Sequence, residues 1–226
     1  MRLTAAVAIV LLVATPATGV TFSDGTFVSA NWTTTIFTFN HAGASTGQST
    51  SDGNPGSHRL ITTLQANPGE SRVIVIEMRA GAVVDPSTLG GISTIDYFED
   101  QKCSSADGCT GAGQGWSPAI RQAGKFYIVS PPIATTGVVE GWTSVSATGL
   151  TAVDFNEVVV TSTADTDPSS HPDFMTTGQP IQFGYARTNR KNSQRTGRLD
   201  NWSVIITGVF VPVEPVSWGY LKDLYR

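Results

Sequence analysis

The chain has 226 residues, a net charge of −4 and only 14% charged residues. That balance argues against a nucleic-acid partner, which leaves a clustered basic footprint. No apolar run after residue 19 reaches the roughly 20 residues a spanning helix needs.

Residues 1–19 read as a secretory signal peptide rather than a buried helix. Arg2 is the positive n-region, Ala5 to Ala14 the apolar run, and Ala17-Thr18-Gly19 the small residues for cleavage. Residues 20–210 follow as one large β domain. Glycine, Ser and Thr are abundant and no long helical period appears, the texture of short strands joined by turns. Trp32 to Phe39 is a strand with both faces partly buried. His41 to Pro55 is a Gly/Ser/Thr-rich loop, with turn chemistry at Asp52-Gly53-Asn54-Pro55-Gly56. His58 to Leu64 and Ser71 to Arg79 resume strands; in the second, Val73 and Val75 alternate with Ile74, Ile76 and Met78.

Ile92 to Glu99 leads into CSSADGC. In an exported chain Cys103 and Cys109 most simply form a disulfide closing a small loop. A metal pair is the rival, without the second Cys or His pair that a tetrahedral zinc site needs. Gly111 to Gly115 is a flexible approach to Trp116. Ala119 to Ser130 is a hairpin turning at Gln122-Ala123-Gly124-Lys125. Val138 to Ser146 and Phe155 to Ser162 are further strands, and Thr163 to Pro172 is a polar loop.

Pro180 to Thr207 reads as a strand, a long basic turn and a closing strand. Arg187, Arg190, Lys191, Arg195 and Arg198 fall in the turn and read as solvated loop rather than a phosphate site. In the closing strand Asp200, Trp202, Val204 and Ile206 share one face by the period of two. Asp200 then sits at the mouth of an apolar face, where a bare carboxylate is costly unless paired, hydrogen-bonded or metal-bound.

The tail, residues 211–226, carries Pro212 and Pro215 as a stiff spacer. Beyond it Trp218, Leu221 and Tyr225 lie on one face of a short helix. Such a helix needs a partner for its apolar face. It either folds back on the domain or serves as a recognition tail for an export or surface-attachment receptor.

Ten or more short strands predict an all-β fold, a two-sheet antiparallel β-sandwich with a short C-terminal helical tail. The ordered segments SDGTF, ISTIDY, AIRQAGKFYIV, HPDF, PIQFGYARTN and GRLDNWSVII resemble the concanavalin-A-like or laminin-G-like jelly roll, as carried by exported bacterial proteins of uncharacterised role. The resemblance implies that first and last strands lie side by side, bringing Asp24 near Asp200, where such carbohydrate-binding domains often hold a structural calcium. The alternative is that Asp24 caps its own turn and Asp200 accepts backbone N–H bonds. Laminarinase-like hydrolases of this fold carry E-[IL]-D-x-x-E. Here Asp96 and Glu99 match, but Thr94 stands at the nucleophile. His41, His58 and His171 assemble no catalytic set.

Aromatic rings can stack on the apolar faces of sugars. The candidate platform is Trp116, Trp142 and Tyr127, with Arg121 as a polar contact, whereas Trp32 and Trp202 read as core. The reading is a secreted or surface-attached, non-catalytic sandwich that binds glycan or extracellular matrix. A glycoside hydrolase or lyase with another carboxylate set, and an adhesive exoprotein without a small ligand, are the alternatives.

Overall fold

A computed structural model describes residues 19–40, 42–64, 72–103, 112–130, 133–136, 139–161, 165–189 and 194–209. The tail residues Trp218, Leu221 and Tyr225, the cysteine Cys109 and His41 lie outside the described residues, as does most of the signal segment. Among the described residues no helix is long and apolar enough to cross a membrane.

The strands are β1 (Gly19–Asp24), β2 (Trp32–Phe39), β3 (Gly43–Gly53), β4 (Gly56–Leu64), β5 (Arg72–Val84), β6 (Ile92–Cys103) and β7 (Ala112–Gln122). They continue with β8 (Lys125–Val129), β9 (Ile133–Thr136), β10 (Val139–Leu150), β11 (Phe155–Val158), β12 (Thr166–Asp167), β13 (Ile181–Asn189) and β14 (Arg195–Gly208). One sheet has the order β10-β6-β14-β4-β3, with β1 beside the second half of β14. The other has the order β12-β11-β8-β7-β13-β5-β2, with β9 beside the start of β7. Neighbouring strands pair antiparallel, so the expected two-sheet sandwich forms.

The main core lies between the sheets. Ile95, Tyr97, Leu199, Trp202, Val204 and Ile206 enter it from the first sheet, and Val73, Val75, Ile120, Phe183 and Tyr185 from the second. Trp32 joins Trp202 edge-on, at 5.2 Å between centroids, and stacks on Phe27 at 5.5 Å. Two ion pairs are buried in the same layer: Arg59–Glu77 at 2.9 Å and Arg187–Glu99 at 2.6 Å. The Tyr97 hydroxyl donates to Glu99 as well.

The second sheet is curled. Phe37 on β2 and Phe126 on β8 stand four places apart in the strand order, about 19 Å in a flat sheet at 4.8 Å per strand. Yet their rings meet edge-on at 5.7 Å. Arg72 on β5 likewise reaches across to donate to the Thr161 carbonyl, at 3.3 Å, just beyond β11. The outer face is therefore concave. It encloses a second apolar cluster of Ile74, Ile76, Met78, Ala119, Ile128, Val158 and Ala186, with Phe37, Phe126 and Val160 packed against it. Gly184 is part of this arrangement: a Cβ there would stand 1.9 Å from the Glu77 carbonyl oxygen.

Several sequence expectations are corrected. The expected loop His41 to Pro55 is mostly strand β3, an edge strand whose uncharged polar residues show no apolar period and pair with β4. Arg187 and Arg195 are not in a solvated turn; both are buried on strands β13 and β14. The hairpin at Gln122–Lys125 forms as expected, with Ala123 and Gly124 at positive φ.

Candidate functional site

The site grows from an irregularity in β14. Leu199 faces the core, so Asp200 faces outward. Asn201 then takes φ 48°, and the register with β6 jumps from Asp200 opposite Asp100 to Ser203 opposite Phe98. This bulge inserts one residue, so Trp202, Val204 and Ile206 return to the core. Asp200 therefore does not share a face with Trp202, as a regular period of two would have it.

On the outer face of the first sheet this lines up His58, Asp200, Asp100 and Ser144 across β4, β14, β6 and β10. The β3–β4 turn folds over the row. Asn54 donates its backbone N–H to Asp200 and its side-chain amide to Asp100, the latter at 3.0 Å. Asn201 donates its backbone N–H to Asp200 at 2.7 Å, and its side-chain amide to Asp100 at 2.7 Å and to the Asn54 carbonyl at 2.6 Å. The Ser144 hydroxyl donates to Asp100 at 2.5 Å.

Asp52 in the same hairpin accepts from Arg198 at 2.6 Å and Lys102 at 3.4 Å. Trp142 donates its indole N–H to the Asp52 carbonyl at 3.2 Å and sets its ring edge-on to His58 at 5.5 Å. Beside this network lies a cavity of about 240 Å³ lined by Phe98, Asp100, Ser144, Ser146 and Asn201 among others.

Burial raises the Asp200 pKa, although the N–H groups of Asn54 and Asn201 pull it back. Burial and the neighbouring Arg198 charge lower that of His58 and favour the neutral imidazole. The acidic side chains of the face are Asp100, Asp200 and Asp52, and the basic ones Lys102 and Arg198, both of which pair with Asp52.

The four proposed sugar contacts do not converge. Trp142 is half-buried on this outer face. Arg121 is exposed on the far side of the molecule, its guanidinium 5.5 Å from the Phe126 ring centre. Trp116 is 3% exposed and stacked on Tyr97 at 6.0 Å, and Tyr127 is 5% exposed in the same core. Neither ring is free for a sugar, because both side chains point between the sheets. Trp32 and Trp202 are core, as expected.

Asp24 and Asp200 are not brought together either. Asp24 pairs with Trp202 on the inner side of β14. Its Oδ1 accepts from Thr26 N–H, the Thr26 hydroxyl and Phe27 N–H, and its Oδ2 from the Trp32 indole at 3.0 Å. The Arg79 guanidinium stands 2.9 Å from Oδ2. A carboxylate filled by N–H donors and faced by a cation does not suit calcium, which wants free oxygens. Among the described residues no three of His, Cys, Asp and Glu are placed to hold a metal. The Asp96 and Glu99 side chains leave β6 on opposite faces. Glu99 turns inward to Arg187, whereas Asp96 accepts from Gly149 N–H at 2.6 Å. His171 bonds the Phe155 carbonyl at 2.8 Å.

Asp24 supplies a pH test. Burial alone would raise its pKa, but the bonds from Phe27, Thr26 and Trp32 outweigh burial and leave the carboxyl below its usual 3.8. A carboxyl depressed in the fold adds stability above its unfolded pKa and loses it as pH falls through the folded one. Asp24→Asn should therefore destabilise at pH 7, by roughly 1.5–3 kcal/mol for lost bonds to a charged acceptor. The gap from wild type should close below pH 3.8. A gap that stays constant through a series of acid melts would refute this role.

Asp100, Asn54, Asn201 and Ser144 carry no signal of their own in the sequence. Each is an ordinary polar residue until the strand order sets β6, β10 and β14 side by side.

No protein-family model matches the sequence, and no curated protein does. Solved structures similar to the chain include the family 11 carbohydrate-binding module from Clostridium thermocellum in complex with a β-1,3-1,4-mixed-linked tetrasaccharide. It is 12% identical, with 87% of this chain and 99% of that one covered, at a TM-score of 0.48. The CBM22-1 xylan-binding domain from Paenibacillus barcinonensis Xyn10C is 8% identical, with 88% and 100% covered, at a TM-score of 0.42. Likenesses of this size carry no argument for function, which rests on the geometry.

Proposed function

We propose that the chain is a non-catalytic, glycan-binding β-sandwich, and that the outer face of the first sheet is its binding face. The cavity beside Asp100 carries this reading. It is about 240 Å³, smaller than the roughly 300–1,000 Å³ of drug-sized pockets and suited to a short saccharide. Phe98 offers an apolar surface to a sugar ring. Asp100, Ser144 and Ser146 offer polar partners to its hydroxyls. Trp142 stands on the same outer face, two residues before Ser144 on β10, packed against His58. Kinship with concanavalin-A-like and laminin-G-like jelly rolls, export to the cell surface or medium, and a Cys103–Cys109 bridge are proposals that go with this reading.

A glycan array paired with a reducing-sugar assay on the same preparation tests it. Binding without release of reducing ends is expected. Release of reducing ends would make the protein a hydrolase, and absence of any binding would leave an adhesive exoprotein. Trp142→Ala should weaken the glycan found by about five- to tenfold, the worth of one aromatic contact. Unchanged affinity would move the binding face elsewhere.

A further inference from the structure

The cavity beside Asp100 has a one-sided hydrogen-bonding character. Both side-chain N–H bonds of Asn201 are spent, on Asp100 and on the Asn54 carbonyl. The hydroxyl proton of Ser144 is spent on Asp100. Glu99 lines the cavity, but its carboxylate is turned inward to Arg187 and Tyr97. The two cations of the face, Lys102 and Arg198, both lean on Asp52, and neither lines the cavity.

Acceptors remain. Asp100 takes three bonds, from Ser144, Asn54 and Asn201, where a carboxylate has about four acceptor positions. The open position is on Oδ1, which Ser144 alone engages. The oxygens of Ser144 and Ser146 can also accept. Asp200, opposite Asp100 across the strand pair, is wholly buried, takes the N–H groups of Asn54 and Asn201, and does not line the cavity. A guest that only accepts, such as a uronate or a sulfated sugar, would meet the Asp100 carboxylate and few donors, the Ser146 hydroxyl among them. A guest that donates through a cation would meet an acceptor of opposite charge, and charge-assisted bonds are roughly twice as strong as neutral ones.

We propose that this pocket selects a sugar unit bearing a free amine, a 2-amino-2-deoxy sugar, over its N-acetylated, neutral and acidic counterparts. The proposal rests on the glycan-binding reading and assigns its ligand class. Asp100 is the specificity-determining residue: its open oxygen receives the ammonium, and Ser144 and Ser146 receive hydroxyls.

Titration calorimetry with four oligosaccharide series of matched length tests it: glucosamine, N-acetylglucosamine, glucose and galacturonic acid. The glucosamine series should bind about tenfold tighter than the N-acetylated one, a preference that narrows as salt screens the charge. Asp100→Asn should bring the two within about twofold. Ser146→Lys, a change at an exposed position, should reverse the order in favour of galacturonate and serves if Asp100→Asn does not fold. Binding of neutral or N-acetylated oligomers as tight as the amine series would overturn the selectivity and leave the glycan reading standing. Failure of all four series, with an array equally silent, would overturn both.

Discussion

Glu99→Ala should be among the most damaging single substitutions in the chain. Its carboxylate is wholly buried and pairs with Arg187 at 2.6 Å, itself buried, while the Tyr97 hydroxyl leans on the same group. Removing it strands a guanidinium between two sheets, with its hydration gone and no counter-charge. Breaking a buried pair this way costs about 3–5 kcal/mol, a large share of the roughly 5–15 kcal/mol that holds a domain folded. The pair itself contributes far less than that figure, since both charges were desolvated to make it. The double variant Glu99→Leu with Arg187→Met should therefore recover most of the loss. Urea denaturation of the two variants decides the matter. A Glu99→Ala loss under about 1 kcal/mol, or a double variant no better than the single, would show that water reaches the guanidinium.

Trp202→Ala should cost a comparable amount for a different reason. The indole is fully buried and stands edge-on to Trp32, which in turn packs against Phe27 and Tyr185. Deleting it opens a cavity that neighbours on paired strands cannot move to fill. Large aromatic-to-alanine changes in such cores cost about 3–5 kcal/mol. Trp202→Phe keeps most of the volume and should lose much less. Thermal melts that placed the two variants together would mean that the indole is valued for something other than its bulk.

Much of the sandwich is legible in the residues. Strands β4, β5, β6, β8 and β13 announce themselves through β-branched and aromatic residues at a period of two, and Trp32 and Trp202 read as core. Strand β3 is silent because an edge strand of Gly, Ser and Thr buries little, and its pairing with β4 supplies what its composition does not. The candidate site was barely legible. Asp200 draws notice as an oddly placed carboxylate, but its face depends on one inserted residue at Asn201, which no periodicity reports. Trp116 and Tyr127 show the opposite difficulty. A glycine-rich approach looks like an exposed loop, yet here it is the start of β7, and it delivers the indole between the sheets. Trp142 sits on the outer face, but its partners His58 and Asp52 come from a hairpin far away in the chain.

The curl of the second sheet has a consequence for strand alignment. A strand with one wet face and one greasy face is held in place by its pattern, because sliding by one residue would turn the greasy row to water. Strand β5 lacks that safeguard. Val73 and Val75 face one apolar interior, and Ile74, Ile76 and Met78 face another, so a slipped β5 would still find aliphatic company on both sides. The residue that distinguishes the two alignments is Glu77. In the observed one it reaches Arg59 and accepts from the Thr34 hydroxyl at 2.8 Å. Displaced by one place, its charge would enter the apolar cluster of Ile74, Ile76 and Met78 and leave the buried Arg59 without its partner. A buried charge that adds little to stability thus acts as the index mark of the strand, making one alignment tolerable and its neighbours prohibitive.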